Sequence, residues 1–112
     1  MVGQVRVIGH EEVGHLLESG TALVVDVLDR PYYRKFHLPG AVNIPINGDG
    51  FDAEIRRQAP DLTRTVVVYC LDLACDASRR AAARLEALGY ASVCDYEGGK
   101  MDWKDAGLPT ER

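Results

Sequence analysis

The chain has 112 residues, 46% of them hydrophobic and 27% charged, which suffices for one globular domain, residues 1–112, and is too short for two. Its net charge of −4 supplies no basic face for nucleic acid or an anionic membrane. No apolar run approaches the roughly 20 residues of a bilayer span, and Met1-Val2-Gly3-Gln4-Val5-Arg6 lacks the apolar centre of a signal peptide, so a cytoplasmic location is expected.

Val5-Arg6-Val7-Ile8 is a short strand candidate. His10 to Ser19 carries apolar residues at helical spacing, with Gly20 as a stop. Ala22-Leu23-Val24-Val25-Asp26-Val27 is a nearly continuous apolar run, as expected of a strand covered on both faces. Asp29 to Asn47 holds three prolines, with one helical turn near Tyr32-Tyr33-Arg34 and a brief strand at Ala41-Val42-Asn43-Ile44. Asp52 to Ala59 is a short helix ended by Pro60. Thr65 to Tyr69 is a buried strand, and Ala77 to Leu88 a helix stopped by Gly89. Ser92 to Tyr96 is a strand ended by Gly98-Gly99, and Met101 to Ala106 is a closing helical turn. Strands alternating with helices imply an α/β fold, a mostly parallel sheet of about five strands with helices on both faces.

Cys70 is the residue with chemistry. It stands between the C-terminus of a strand and the N-terminus of a helix, where backbone amides converge and the helix dipole is positive. Such placement lowers a thiol's pKa and favours a nucleophilic thiolate. It is also where open α/β sheets carry ligand sites. Three cysteines, an odd number, give no disulfide framework. Cys70 and Cys75 are too widely spaced for a zinc knuckle and no histidine follows at ligand spacing, so neither metal nor organic cofactor is expected.

The ordered set Val24-Val25-Asp26-Val27, His37-Leu38-Pro39-Gly40-Ala41-Val42-Asn43-Ile44-Pro45, Val67-Val68-Tyr69-Cys70 and Tyr96-Glu97-Gly98-Gly99, followed by Trp103 and Ala106-Gly107-Leu108-Pro109, spans nearly the whole chain. In this order and spacing it resembles a single-domain rhodanese, a thiosulfate sulfurtransferase-like domain. The resemblance implies that Cys70 takes a sulfane sulfur from a small donor or a persulfide-carrying protein, becomes a persulfide, and passes the sulfur to a nucleophile. Amides ahead of a helix would cradle that diffuse anion.

The active-site loop departs from the family pattern. It runs Cys70-Leu71-Asp72-Leu73-Ala74-Cys75-Asp76-Ala77-Ser78, two residues longer than usual if Ser78 starts the helix, with no glycine and no arginine inside it. Arg79 is the nearest guanidinium, a supporting residue if it faces the site. Asp72 and Asp76 would repel a dianion such as thiosulfate, so a persulfide is expected to be the better donor. Asp76 is alternatively a helix cap. Cys75 is either a small packing residue or a resolving thiol that forms a disulfide with Cys70, a redox relay. Cys94 is read as core. Asp26, at a strand end, either supports the loop through its amides or is architectural. His37 is expected to bond backbone, Trp103 to anchor the C-terminal turn, and Gly98-Gly99 to give backbone freedom beside the loop. Leu28, Tyr32 and Phe36, which also differ from the common pattern, are expected to repack the wall near the loop. Two alternatives to a sulfurtransferase remain: a non-catalytic regulatory or binding module, and a cysteine-dependent phosphatase or arsenate reductase. The second is opposed by the lack of a loop arginine to grip a tetrahedral oxyanion.

Overall fold

The computed structural model describes residues 5–112; Met1 to Gln4, part of the segment read for a signal peptide, lie outside it. The elements run β1 (Arg6–Val7), α1 (His10–Ser19), β2 (Leu23–Asp26), α2 (Arg30–Lys35), β3 (Val42–Asn43), α3 (Phe51–Gln58), β4 (Val66–Tyr69), α4 (Ala77–Ala87), β5 (Val93–Tyr96) and α5 (Gly99–Asp105). The five strands form one sheet in the order β1-β5-β4-β2-β3, every pairing parallel.

Side-chain alternation along the central strands builds two cores. Leu23, Val25, Val66, Val68 and Val93 face one side, where Phe51 and Ile55 of α3 and Ala81, Ala82 and Leu85 of α4 cover them. Val24, Val67, Tyr69, Cys94 and Tyr96 face the other, under Val13 of α1 and Trp103 of α5. Both faces are therefore buried, which is why the strands read as continuous apolar runs. The expected α/β architecture with helices on both sides is the one observed.

The differences from the sequence reading lie at element edges. The first strand shrinks to two residues at the sheet margin, and the single turn near Tyr32 is a six-residue helix. Pro31 presets the helical φ in its first turn, and the Asp29 carbonyl accepts from the amides of Tyr32 and Tyr33. The last helix begins at Gly99 rather than Met101.

The Asp29–Asn47 segment is fastened by polar contacts rather than regular structure. The His37 ring stacks on Tyr33 at 3.7 Å, and its Nδ1 lies 2.9 Å from the Tyr33 carbonyl, the backbone contact expected of it. Tyr33 donates its hydroxyl to the Ala41 carbonyl at 2.7 Å. His37 also pairs with Glu111 as an antiparallel bridge that ties down the C-terminus. Trp103 is buried and donates Nε1–H to the Pro109 carbonyl at 2.7 Å, the anchor expected of it.

Candidate active site

β4 is the middle strand, flanked by β5 and β2, and Cys70 is the first residue past its C-terminal end. Sheet topology thus sets Cys70 at the centre of the edge where parallel sheets carry their sites. The chain then turns through residues 71–76 and enters α4 at Ala77, with Asp76 at the N-cap position and Ser78 buried in the first turn.

The start of the loop is pinned from the next crossover. The Lys100 amide donates to the Cys70 carbonyl at 3.0 Å and the Met101 amide donates to the Leu71 carbonyl at 2.9 Å. This close approach requires Gly99, whose φ is +69° and whose missing Cβ would stand 2.6 Å from the Cys70 oxygen and from the Leu71 carbonyl group. Here the freedom expected of Gly98-Gly99 has a specific use. Lys100 itself is buried: its ammonium donates to the carbonyls of Tyr32 and Phe36 at 2.6 and 2.9 Å and lies 4.5 Å from the Phe36 ring. Tyr32 and Phe36, two of the departures in the sequence, therefore belong to the wall that supports the loop. Lys100 and Met101, which hold the loop through their amides, were missed in the sequence; the Gly-Gly pair was the signal.

Further along, the loop folds on itself. The Asp72 carboxylate accepts from the Ala74 amide at 3.1 Å, and the Asp72 carbonyl accepts from the Cys75 amide at 3.1 Å. This tight turn places Cys75 over Cys70. The Cys70 thiol donates to the Cys75 carbonyl at 3.5 Å, and Cys75 packs against the core cluster that contains Cys70. Both cysteines are free thiols. Cys70 is 0% exposed, and the apolar tip Leu73 is 69% exposed.

This arrangement corrects the expectation of a lowered thiol pKa. Burial, reinforced by the neighbouring Cys75, pushes the Cys70 thiol up to about 11. The Ser78 hydroxyl and amide pull the other way, as helix-start donors should, but they are outweighed. The sequence placed Cys70 at the start of a helix; it did not show that the loop would cover the sulfur and turn a carbonyl toward it.

The other site residues fall as follows. Leu71, Asp72, Leu73, Ala74 and Cys75 form the cover, and Ala77 and Ser78 are buried in the first turn of α4. Asp76 does not cap with its side chain; it accepts from Arg80 at 3.3 Å on the surface. Arg79 is exposed and makes no hydrogen bond to the loop among the described residues. Arg80 is engaged with Asp76 and Asn47. No guanidinium fork is therefore turned on Cys70, which weakens the phosphatase alternative. Asp26 is fully buried and accepts from the Leu28 amide at 3.0 Å, not from residues 71–76. Burial raises its pKa, and its Oδ2 has no partner among the described residues. It sits at the β2 end, in register with Tyr69. Cys94 is a core residue.

Two openings flank this region. A shallow groove of about 340 Å³ is lined by Asp72, Leu73, Ala74, Met101, Asp102 and Asp105. A larger cleft of about 690 Å³ lies between α1, Pro39-Gly40 and the C-terminal turn; none of residues 70–78 lines it.

A family model described as the rhodanese-like domain matches residues 9–106. The chain belongs to the rhodanese-like domain family. The matched relatives differ in how much of their own length this chain covers. The thiosulfate sulfurtransferase GlpE of Pseudomonas fluorescens is 33% identical over 94 residues, covering 84% of this chain and 80% of that protein. The HTH-type transcriptional regulator Rv0324 of Mycobacterium tuberculosis is 33% identical over 96 residues, covering 84% of this chain but only 39% of the regulator. Among solved structures, the Alr3790 protein from Anabaena sp. superposes with a TM-score of 0.79 at 26% identity, covering 93% of this chain and 90% of that one. Among the described residues, no helix is long and apolar enough to cross a membrane.

Proposed function

We propose that this rhodanese-like domain is a sulfurtransferase that moves a sulfane sulfur through a persulfide on Cys70. The observation that carries the reading is the place of Cys70, the first residue past the C-terminal end of the central strand and just ahead of the N-terminus of α4. In the first displacement the Cys70 thiolate attacks the outer sulfur of a donor R–S–SH, forming Cys70–S–SH and releasing R–S⁻. In the second a nucleophile attacks the outer sulfur and the Cys70 thiolate leaves. Each step exchanges one bond to sulfur for another, with no outside oxidant.

The covering loop has two consequences for this chemistry. Access to Cys70 requires residues 71–76 to swing outward, which also removes the Cys75 carbonyl and leaves the Ser78 donors to favour the thiolate. And the approach passes Asp72 and Asp76, so a small persulfide of low charge is a better donor than dianionic thiosulfate. The test is thiocyanate formation from cyanide with thiosulfate or glutathione persulfide as donor, in wild type and Cys70→Ser. Turnover with the persulfide, weak turnover with thiosulfate and none in the variant are expected. Equal turnover of wild type and variant refutes a role for Cys70, and efficient use of thiosulfate refutes the charge argument.

A second reading is a regulatory module. It is favoured by the complete burial of Cys70 as a thiol, and one relative is a transcriptional regulator. It predicts no turnover with either donor.

A further inference from the structure

The turn at Asp72 does more than cover Cys70: it delivers a second thiol to it. The Cys75 carbonyl lies 3.5 Å from the Cys70 sulfur, and the Cys75 side chain packs against the core cluster that contains Cys70. The Asp72–Cys75 turn and the pinned carbonyls of Cys70 and Leu71 hold both ends of this five-residue separation. Once the donor has left, closing the loop returns Cys75 to this place beside Cys70, whereas an external acceptor has to wait for the loop to open again. An intramolecular thiol so placed has a large kinetic advantage over a free one.

From this juxtaposition we infer that Cys75 resolves a Cys70 persulfide, releasing sulfide and leaving a Cys70–Cys75 disulfide. The inference rests on the Cys70 persulfide proposed above. The Cys75 thiolate attacks the inner, Cys70-bound sulfur. The new bond is Cys75–S to Cys70–S, the bond that breaks joins Cys70–S to the outer sulfur, and the outer sulfur departs as hydrosulfide with the bonding pair. The proton given up by Cys75 remains available to it as hydrogen sulfide. One sulfur has been reduced to sulfide, and the two thiols of the loop supply the electrons. An external dithiol then reduces the loop disulfide by exchange, restoring both thiols and becoming a disulfide itself. The net activity is a persulfide reductase, a fate for the sulfur distinct from transfer to an acceptor.

The geometry also sets which sulfur is attacked. The Cys75 carbonyl lies 3.5 Å from the Cys70 sulfur itself, so the sulfur bound to Cys70 is the one within reach, and the outer sulfur leaves as hydrosulfide. Neither Cys94, buried on the far face of the sheet, nor any other cysteine of the chain competes.

The experiment is a single turnover of wild type and Cys75→Ser with glutathione persulfide, with no added reductant, excess donor being removed before readout. Released sulfide is measured, and the peptides carrying residues 70 and 75 are analysed by mass spectrometry. The expected result is close to one sulfide per wild-type chain with a Cys70–Cys75 linkage, and less than about a tenth of that sulfide from Cys75→Ser, which instead keeps one added sulfur on Cys70. A sulfur retained on Cys70 in both proteins, with no linkage, overturns the inference and leaves the sulfurtransferase reading standing. No added sulfur on Cys70 in either protein, with no linkage in wild type, overturns both.

Discussion

Gly99→Ala is the substitution whose consequence follows most directly from the geometry. Gly99 and Gly20 share a φ of +69°, but a Cβ at Gly20 meets open space, whereas one at Gly99 meets the backbone of Cys70 and Leu71 at 2.6 Å. The shared left-handed conformation costs an L-residue about 1 kcal/mol. At Gly99 the obstacle is backbone, which has no rotamer to turn away, so α5 must retreat from the loop. That separates the Lys100 and Met101 amides from the Cys70 and Leu71 carbonyls, at about 1 kcal/mol each. Gly20→Ala should therefore lose about 1 kcal/mol and Gly99→Ala about 3 kcal/mol. At about 5 °C per kcal/mol for a domain of this size, the midpoints fall by about 5 and 15 °C. Thermal melts followed by circular dichroism read the difference, and hydrogen exchange should show the Lys100 and Met101 amides losing protection only in Gly99→Ala. Equal melting shifts for the two variants would refute the account of how the loop is held.

Further predictions concern the loop and its wall. With the Cys70 thiol held at about 11, about one molecule in 10⁴ carries the thiolate at pH 7, and alkylation of the Cys70 peptide by iodoacetamide should rise about tenfold per pH unit up to pH 10; a plateau near pH 8 contradicts the raised value. The same shift bears on stability. The folded pKa lies above the ordinary value of 9.0, so this contribution is fully present below pH 9 and is lost as pH rises toward 11. Cys70→Ser should remove that component from the stability–pH curve measured by urea unfolding. Asp72→Asn with Asp76→Asn should raise kcat/KM for thiosulfate several-fold while leaving glutathione persulfide nearly unchanged, as paired steady-state assays would show; equal effects on both donors contradict the charge argument. Lys100→Met leaves the Tyr32 and Phe36 carbonyls without their donor and should cost roughly 2–3 kcal/mol in urea unfolding; a cost below about 0.5 kcal/mol removes Lys100 from the support of the wall.

The legible parts of this chain are those governed by local rules. Val66 to Tyr69 had to be a covered strand, Gly20 and Gly89 had to end helices, and the position of Cys70 between β4 and α4 followed from those two assignments. What remained hidden depends on distant contacts. The direction of the Cys75 carbonyl follows from the Asp72 turn and from pinning by Lys100 and Met101, some 30 residues downstream in the sequence. Sequence reasoning therefore placed Cys70 ahead of the helix start and misjudged the sign of its shift. Asp76 shows the same limit at small scale: its type and position fit a cap, yet Arg80 one helical turn away competes for its carboxylate.

The central claim is that Cys70 carries the transferred sulfur. Peptide-level mass spectrometry after brief exposure to glutathione persulfide tests it most directly, using Cys75→Ser so that the adduct is not consumed within the loop. The account predicts one added sulfur on the Cys70 peptide, removed by cyanide and absent from the Cys70→Ser, Cys75→Ser double variant. An unmodified Cys70 peptide that still reacts with iodoacetamide at high pH would contradict it.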